Sequence, residues 1–140
     1  MTEATRTSRT IAVEHVRIAS QRSFAEVRAA LEWSLSKLDT SIPAALLSGD
    51  QDRAKEYEAS GPKLSIFLER DHGSLLEIAG RRRNAIQYDI GNPLTASKMT
   101  RHDLGAALCA PLRTRLSAPP APVLAYRRIP GCWSVCRPGP

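Results

Sequence analysis

The sequence holds no stretch approaching the ~18 apolar residues of a membrane-spanning helix, and Met1 to Thr10 contain no apolar segment of the secretory type. These absences predict a cytoplasmic protein without a membrane partner. Cysteine is scarce: Cys109, Cys132 and Cys136 are an odd set in a chain without an export signal, which argues against a disulfide framework and predicts thiols. No G-x-S-x-G elbow, H-E-x-x-H pair, phosphate-binding P-loop or dinucleotide glycine pattern occurs. Familiar hydrolase, zinc-protease and nucleotide chemistries therefore have no support, the reading leans away from an enzyme, and no cofactor is expected.

Acidic residues are missing altogether after Asp103, while Arg113, Arg115, Arg127, Arg128 and Arg137 follow it. Five units of the net charge of +6 thus belong to the C-terminal part, which leaves residues 1–103 at +1. The same part holds Pro119, Pro120, Pro122, Pro130, Pro138 and Pro140. This is a composition shift rather than a basic patch on a fold, so nucleic acid is not the expected partner. Arg81-Arg82-Arg83 reads as a solvated turn, with no interleaved aromatics on which bases would stack.

What is present is ordinary globular material, 140 residues with 42% hydrophobic and 24% charged, enough for one domain. Ile86, Tyr88 and Ile90 alternate with Gln87 and Asp89, the period of a strand with one buried face. Gly91 permits a sharp corner, Asn92 is a good helix N-cap, and Pro93 suits the first helical position. Upstream, Ile11 to Ser20 reads as a strand, and Ser23-Phe24-Ala25-Glu26 has the form of a capping box. Phe24, Val27, Leu31, Leu35 and Leu38 then recur at helical spacing. Pro43 and Ser48-Gly49-Asp50 mark a connection, and Gln51 to Ala59 makes a short polar helix ended by Gly61-Pro62. Leu64, Ile66 and Leu68 alternate up to Asp71-His72-Gly73, which reads as a three-residue hairpin loop. In that register Leu68 faces Leu76 and Ile66 faces Ile78, Ile78 pairs with Ile86, and Phe67 and Leu75 fall on the opposite face. The expected fold is α+β, a two-layer sandwich of an antiparallel sheet with helices on one face.

Ser23-Phe24, Leu64-Ser65-Ile66-Phe67 before Asp71-His72-Gly73, Ile90-Gly91-Asn92-Pro93 and Ala110-Pro111-Leu112-Arg113 together resemble the domain of unknown function 302 (DUF302) family. The resemblance covers about residues 11–113 and implies a two-layer α+β fold and a homodimer, with no established reaction. It also implies that Ala-Pro-Leu-Arg runs on into a last apolar strand, a turn and another strand. The prolines after Arg113 argue against a central strand there. The expected organisation is a disordered N-terminus over 1–10, the α+β domain over 11–113, and a Pro/Arg-rich tail over 114–140 that reads as disordered or as a shift of coding frame, with a genuine Pro-rich extension as the alternative.

Candidate ligand-binding residues are His72, Tyr88, Asn92, Thr95 and His102. The helix start Asn92-Pro93-Leu94-Thr95 offers N–H groups and a positive dipole end to a small anion, although capping by Asn92 alone would satisfy those donors. His72 and His102 each adjoin an aspartate, a pairing that can orient an imidazole, although turn and cap chemistry explains Asp71 and Asp103 as well. Cys132-x-x-x-Cys136 with Cys109 and His102 counts to four zinc ligands, but nothing fixes their geometry, and no metal site is assigned. The leading expectation is a non-catalytic small-ligand-binding or homodimerising module. The alternative is a small enzyme using His72 or His102 as general base near Tyr88 and the Gly91-Asn92-Pro93 corner.

Overall fold

The computed structural model describes residues 4–118 and 121–130. Elements follow in the order β1 (Glu14–Ala19), α1 (Phe24–Ser34), α2 (Ser41–Ser48), α3 (Gln51–Ser60), β2 (Ser65–Asp71), α4 (His72–Leu75), β3 (Asn84–Gly91), α5 (Pro93–Thr100), β4 (Leu112–Ala118) and β5 (Val123–Arg128). Short 3₁₀ turns at Leu76–Ala79 and Leu104–Leu108 complete the set. The strands form one antiparallel sheet in the order β1-β5-β4-β3-β2. The α+β expectation is met.

Local chemistry explains the helix starts. The Ser23 hydroxyl accepts from the Glu26 N–H while the Glu26 carboxylate accepts from the Ser23 N–H, so each satisfies a donor exposed at the start of α1. Asp50 caps α3 by accepting from the Arg53 N–H, and Asn92 caps α5 with Pro93 directly behind it. Pro43 lies inside the first turn of α2 rather than in a connection, where its missing N–H breaks no helical bond. α1 stops at Ser34, and the chain beyond it lies along β2: Ile66 donates to Ser36 O and Leu38 N–H donates to Ile66 O, both at 2.9 Å.

Ile66, Ile86, Tyr88, Ile90 and Leu116 form the core cluster, and Phe24, Val27 and Leu31 of α1 pack on it with Leu35 just beyond the helix and Leu124 of β5. The stripe read from the sequence covers the sheet as far as Leu35, but the helix ends at Ser34 and Leu38 instead belongs to the segment hydrogen-bonded to β2.

Two expectations about the strands are also corrected. First, no strand follows the Asp71-His72-Gly73 loop. Asp71 accepts from the Ser74 N–H and hydroxyl and so starts the helical turn α4, and the 3₁₀ turn behind it ends at Gly80, whose φ of 67° suits glycine. Gly73 is required there, because a Cβ would lie 1.8 Å from the Arg83 carbonyl oxygen. β2 pairs directly with β3, with a bulge between Ile66 and Leu68, and Ile78 is 97% exposed instead of facing Ile86. Second, the chain does form a central strand after Arg113. Thr114 and Leu116 alternate inward with Arg113 and Arg115 outward, β4 lies between β3 and β5, and Pro122 lies ahead of β5 rather than in a ladder. The strand whose absence suggested a shifted frame at Arg113 is present, which removes that sign of a shift. Residues 131–140 lie outside the described residues, as do the expectations placed on them.

This architecture separates two substitutions that the hairpin reading would treat alike. Leu116→Ala empties a fully buried position and should cost about 2–5 kcal/mol in urea unfolding. Ile78→Asp falls on an exposed turn and should change stability by no more than about 0.5 kcal/mol. Loss of folding on Ile78→Asp would restore the strand over Ser74–Ala79.

Candidate functional site

Directly opposed residues of an antiparallel pair share a face of the sheet. The rows Ile86↔Leu116↔Leu124 and Tyr88↔Thr114↔Tyr126 point toward α1. The intervening rows must therefore point away from it: Gln87↔Arg115↔Ala125, Asp89↔Arg113, and Arg127↔His15. These residues line a hollow of about 700 Å³ on the open face, walled on one side by residues 107–112. Within it Gln87 donates to Asp89 at 3.1 Å, and the Gln87 amide oxygen lies 2.9 Å from His72 Nε2. Among the described residues, Arg113, Arg115 and Arg127 make no ion pair, and Asp89 is the sole carboxylate lining the hollow. The positive charge read as a tail property is instead a patch on a fold. Its signal lay in the alternation of Arg113 and Arg115 with Thr114 and Leu116.

A second, apolar pocket of about 70 Å³ lies beside the Gly91 corner, between Phe67, Ile90, Met99 and Leu112, with Asn92, Thr95 and Lys63 also lining it. Asn92 Oδ1 accepts from the Leu94 and Thr95 N–H groups at 2.9 and 3.1 Å, and its amide donates to the Pro62 and Lys63 carbonyls at 3.3 and 3.1 Å. The N–H groups offered to an anion at this helix start are thus occupied by the cap itself. Asn92 also ties α5 to the segment entering β2.

The remaining sequence candidates are dispersed. Tyr88 is fully buried on the α1 face and donates to Glu32 at 2.8 Å. His72 is exposed and bonds Gln87 on the open face; Gln87 is four residues up β3 from Gly91, or about 13 Å of strand. His102 is exposed beyond α5, where its N–H donates to Met99 O. The structure therefore joins Asn92 and Thr95 in one pocket and His72 to the edge of the open face, while Tyr88 points to the other side. Cys109, at the rim of the hollow, is disulfide-bonded, which corrects the thiol expectation for it. Among the described residues no three potential metal ligands cluster, and no helix is long and apolar enough to cross a membrane.

Glu32 is the hub of a polar cluster beneath α1. Arg28 Nε donates to it and Arg28 also reaches Glu69, each at 2.8 Å. The Arg28 hydrogen bond, opposed by burial and assisted by Tyr88, holds the Glu32 carboxyl below its ordinary value. Burial first, and the bond to Glu32 second, push the Tyr88 phenol well above its ordinary value. Two signs follow. The stability owed to Glu32 is complete above the ordinary carboxylate range and is lost as pH falls through its lowered value, so Glu32→Gln should flatten the acid limb of a stability profile. The contribution of Tyr88 is complete below the ordinary tyrosine value of about 10 and declines as pH rises above it, so Tyr88→Phe should flatten the alkaline limb. Urea midpoints measured from pH 3 to 11 check both; unchanged limbs would deny the cluster its role. At the corner, Asn92→Ala should cost about 1–2 kcal/mol through the lost cap. Asn92→Asp keeps the acceptor but loses both amide donors, and an unaltered midpoint for both variants would refute the assignment.

Neither a protein-family model nor a curated protein matches the sequence. Among solved structures, the chain is similar to an uncharacterized conserved protein, DUF302, from Bacillus stearothermophilus, with a TM-score of 0.54 at 12% identity over 80% of this chain and 71% of that one. The α1-covered sheet, the Gly91-Asn92-Pro93 corner and the two strands beyond Pro111 thus make up a chain with the DUF302 fold.

Proposed function

We propose that the chain is a non-catalytic binding module whose ligand is a small, multiply charged anion held on the open face of the sheet. The observation that carries this reading is the convergence of Arg113, Arg115 and Arg127 on one hollow of about 700 Å³, with no ion pair of their own among the described residues. Guanidinium groups supply several donors in a fixed fork and favour phosphate and carboxylate geometry. The volume falls in the usual range for small-molecule sites. The wall formed by residues 107–112 suits a compact anion better than a threaded strand of nucleic acid. A second copy on this face would oppose arginines with arginines, so charge favours an anion over homodimerisation at this surface. A general base at His72 or His102 lacks support in the geometry, because neither histidine shares a pocket with Asn92.

Pyrophosphate at constant ionic strength should raise the melting temperature and give saturable heat in calorimetry. Arg113→Gln together with Arg115→Gln should weaken binding by about tenfold or more, as expected for lost charge-assisted hydrogen bonds. An unchanged melting temperature for the wild type, or equal affinity for the double variant, would overturn the reading.

A further inference from the structure

The apolar pocket and the basic hollow are neighbours, because Ala110, Pro111 and Leu112 line both. We propose that the two cavities form one composite site for an amphipathic anion, its charged head on Arg113 and Arg115 and a short hydrocarbon arm over Pro111 beside Phe67 and Met99. The proposal rests on the reading of the arginine face as an anion site and adds the class of ligand.

The chemistry of the two sides is complementary to such a molecule. On one side of the shared wall are guanidinium groups without ion pairs among the described residues; on the other are Phe67, Ile90 and Met99. The pocket of about 70 Å³ would hold on the order of five water-sized groups, which suits an arm of a few carbons and not a long acyl chain. Met99 is fully buried and its thioether is adaptable, so this surface conforms to an unbranched arm more readily than a β-branched side chain would. Cap satisfaction by Asn92 bears on the same point: the helix start does not compete for the head group, and the arginines across the wall converge as a set, whereas Lys63 is the single cationic residue lining the apolar pocket.

The test is a titration of the wild-type chain with inorganic, methyl, butyl and hexyl phosphate, each below its micelle concentration. Affinity should rise roughly threefold to fourfold per added methylene up to butyl, the gain expected for a buried CH₂, and then level off as the pocket fills. Ala96→Leu places bulk in the pocket and should remove this gain. A flat series with phosphate still bound would overturn the composite site while leaving the anion reading standing. A gain that continues through hexyl and ignores Ala96→Leu would also overturn it, as non-specific partition. Failure of every phosphate to bind would overturn the anion reading and the composite site together. The chain-length series needs no variant, so the outcome stands even where Ala96→Leu does not fold.

Discussion

The pairing of β3 with β4 is the constraint on which the other features depend. It sets Ile86 opposite Leu116 and Tyr88 opposite Thr114 on the side of α1, and Thr114 adds a 3.2 Å bond from its hydroxyl to the Tyr88 carbonyl. Strand side chains alternate with a period of two, so this register also sets Gln87 beside Arg115 and Asp89 beside Arg113 on the other side. A slip of one residue would turn arginines into the core and leucine out to water. The core and the basic face therefore cannot be specified separately. Burial of Leu116 places Arg115 and Arg113 exposed on the open face.

A second layer of specificity lies between the sheet and α1. The Arg28–Glu32 and Arg28–Glu69 pairs retain partial exposure, so each contributes little to stability by itself. Their geometry matters more. Glu32 accepts from both Arg28 and the buried Tyr88 hydroxyl, and Arg28 bridges on to β2, which fixes the helix over the strands. Apolar contacts from Phe24, Val27, Leu31 and Leu35 tolerate sliding, whereas hydrogen bonds with directional partners do not.

The open face differs from the α1 face in what competes for its charges. Arg28 is neutralised by two carboxylates, and Arg128 by Glu14 across the β1–β5 pair. Arg113, Arg115 and Arg127 have no such partner among the described residues, and Asp89 is already engaged by Gln87. Concave geometry adds to this, since a hollow with low-dielectric walls concentrates the field of its lining charges. The nearby apolar pocket arises from a different cause, the bulge between Ile66 and Leu68 together with the return of the chain through Pro111.

Features governed by chemistry within a few residues were legible in the sequence. The Ser23–Glu26 capping box, the Asn92-Pro93 helix start, the stripe on α1 and the polar α3 depend on donors, acceptors and side chains already adjacent along the chain. The α+β class followed from these elements with the alternation in β3. Only the tertiary structure decided which alternating stretches became strands. Leu76 and Ile78 alternate as plausibly as Thr114 and Leu116, yet the capping by Asp71 and the close approach at Gly73 coil the first pair into turns, while β3 and β5 supply partners on both sides of the second. A strand exists only if its backbone groups find a neighbour, and that neighbour is distant in sequence. The arginine face was hidden for the same reason: charge on β4 and β5 becomes a patch only when register brings Arg113, Arg115 and Arg127 onto one side of the sheet.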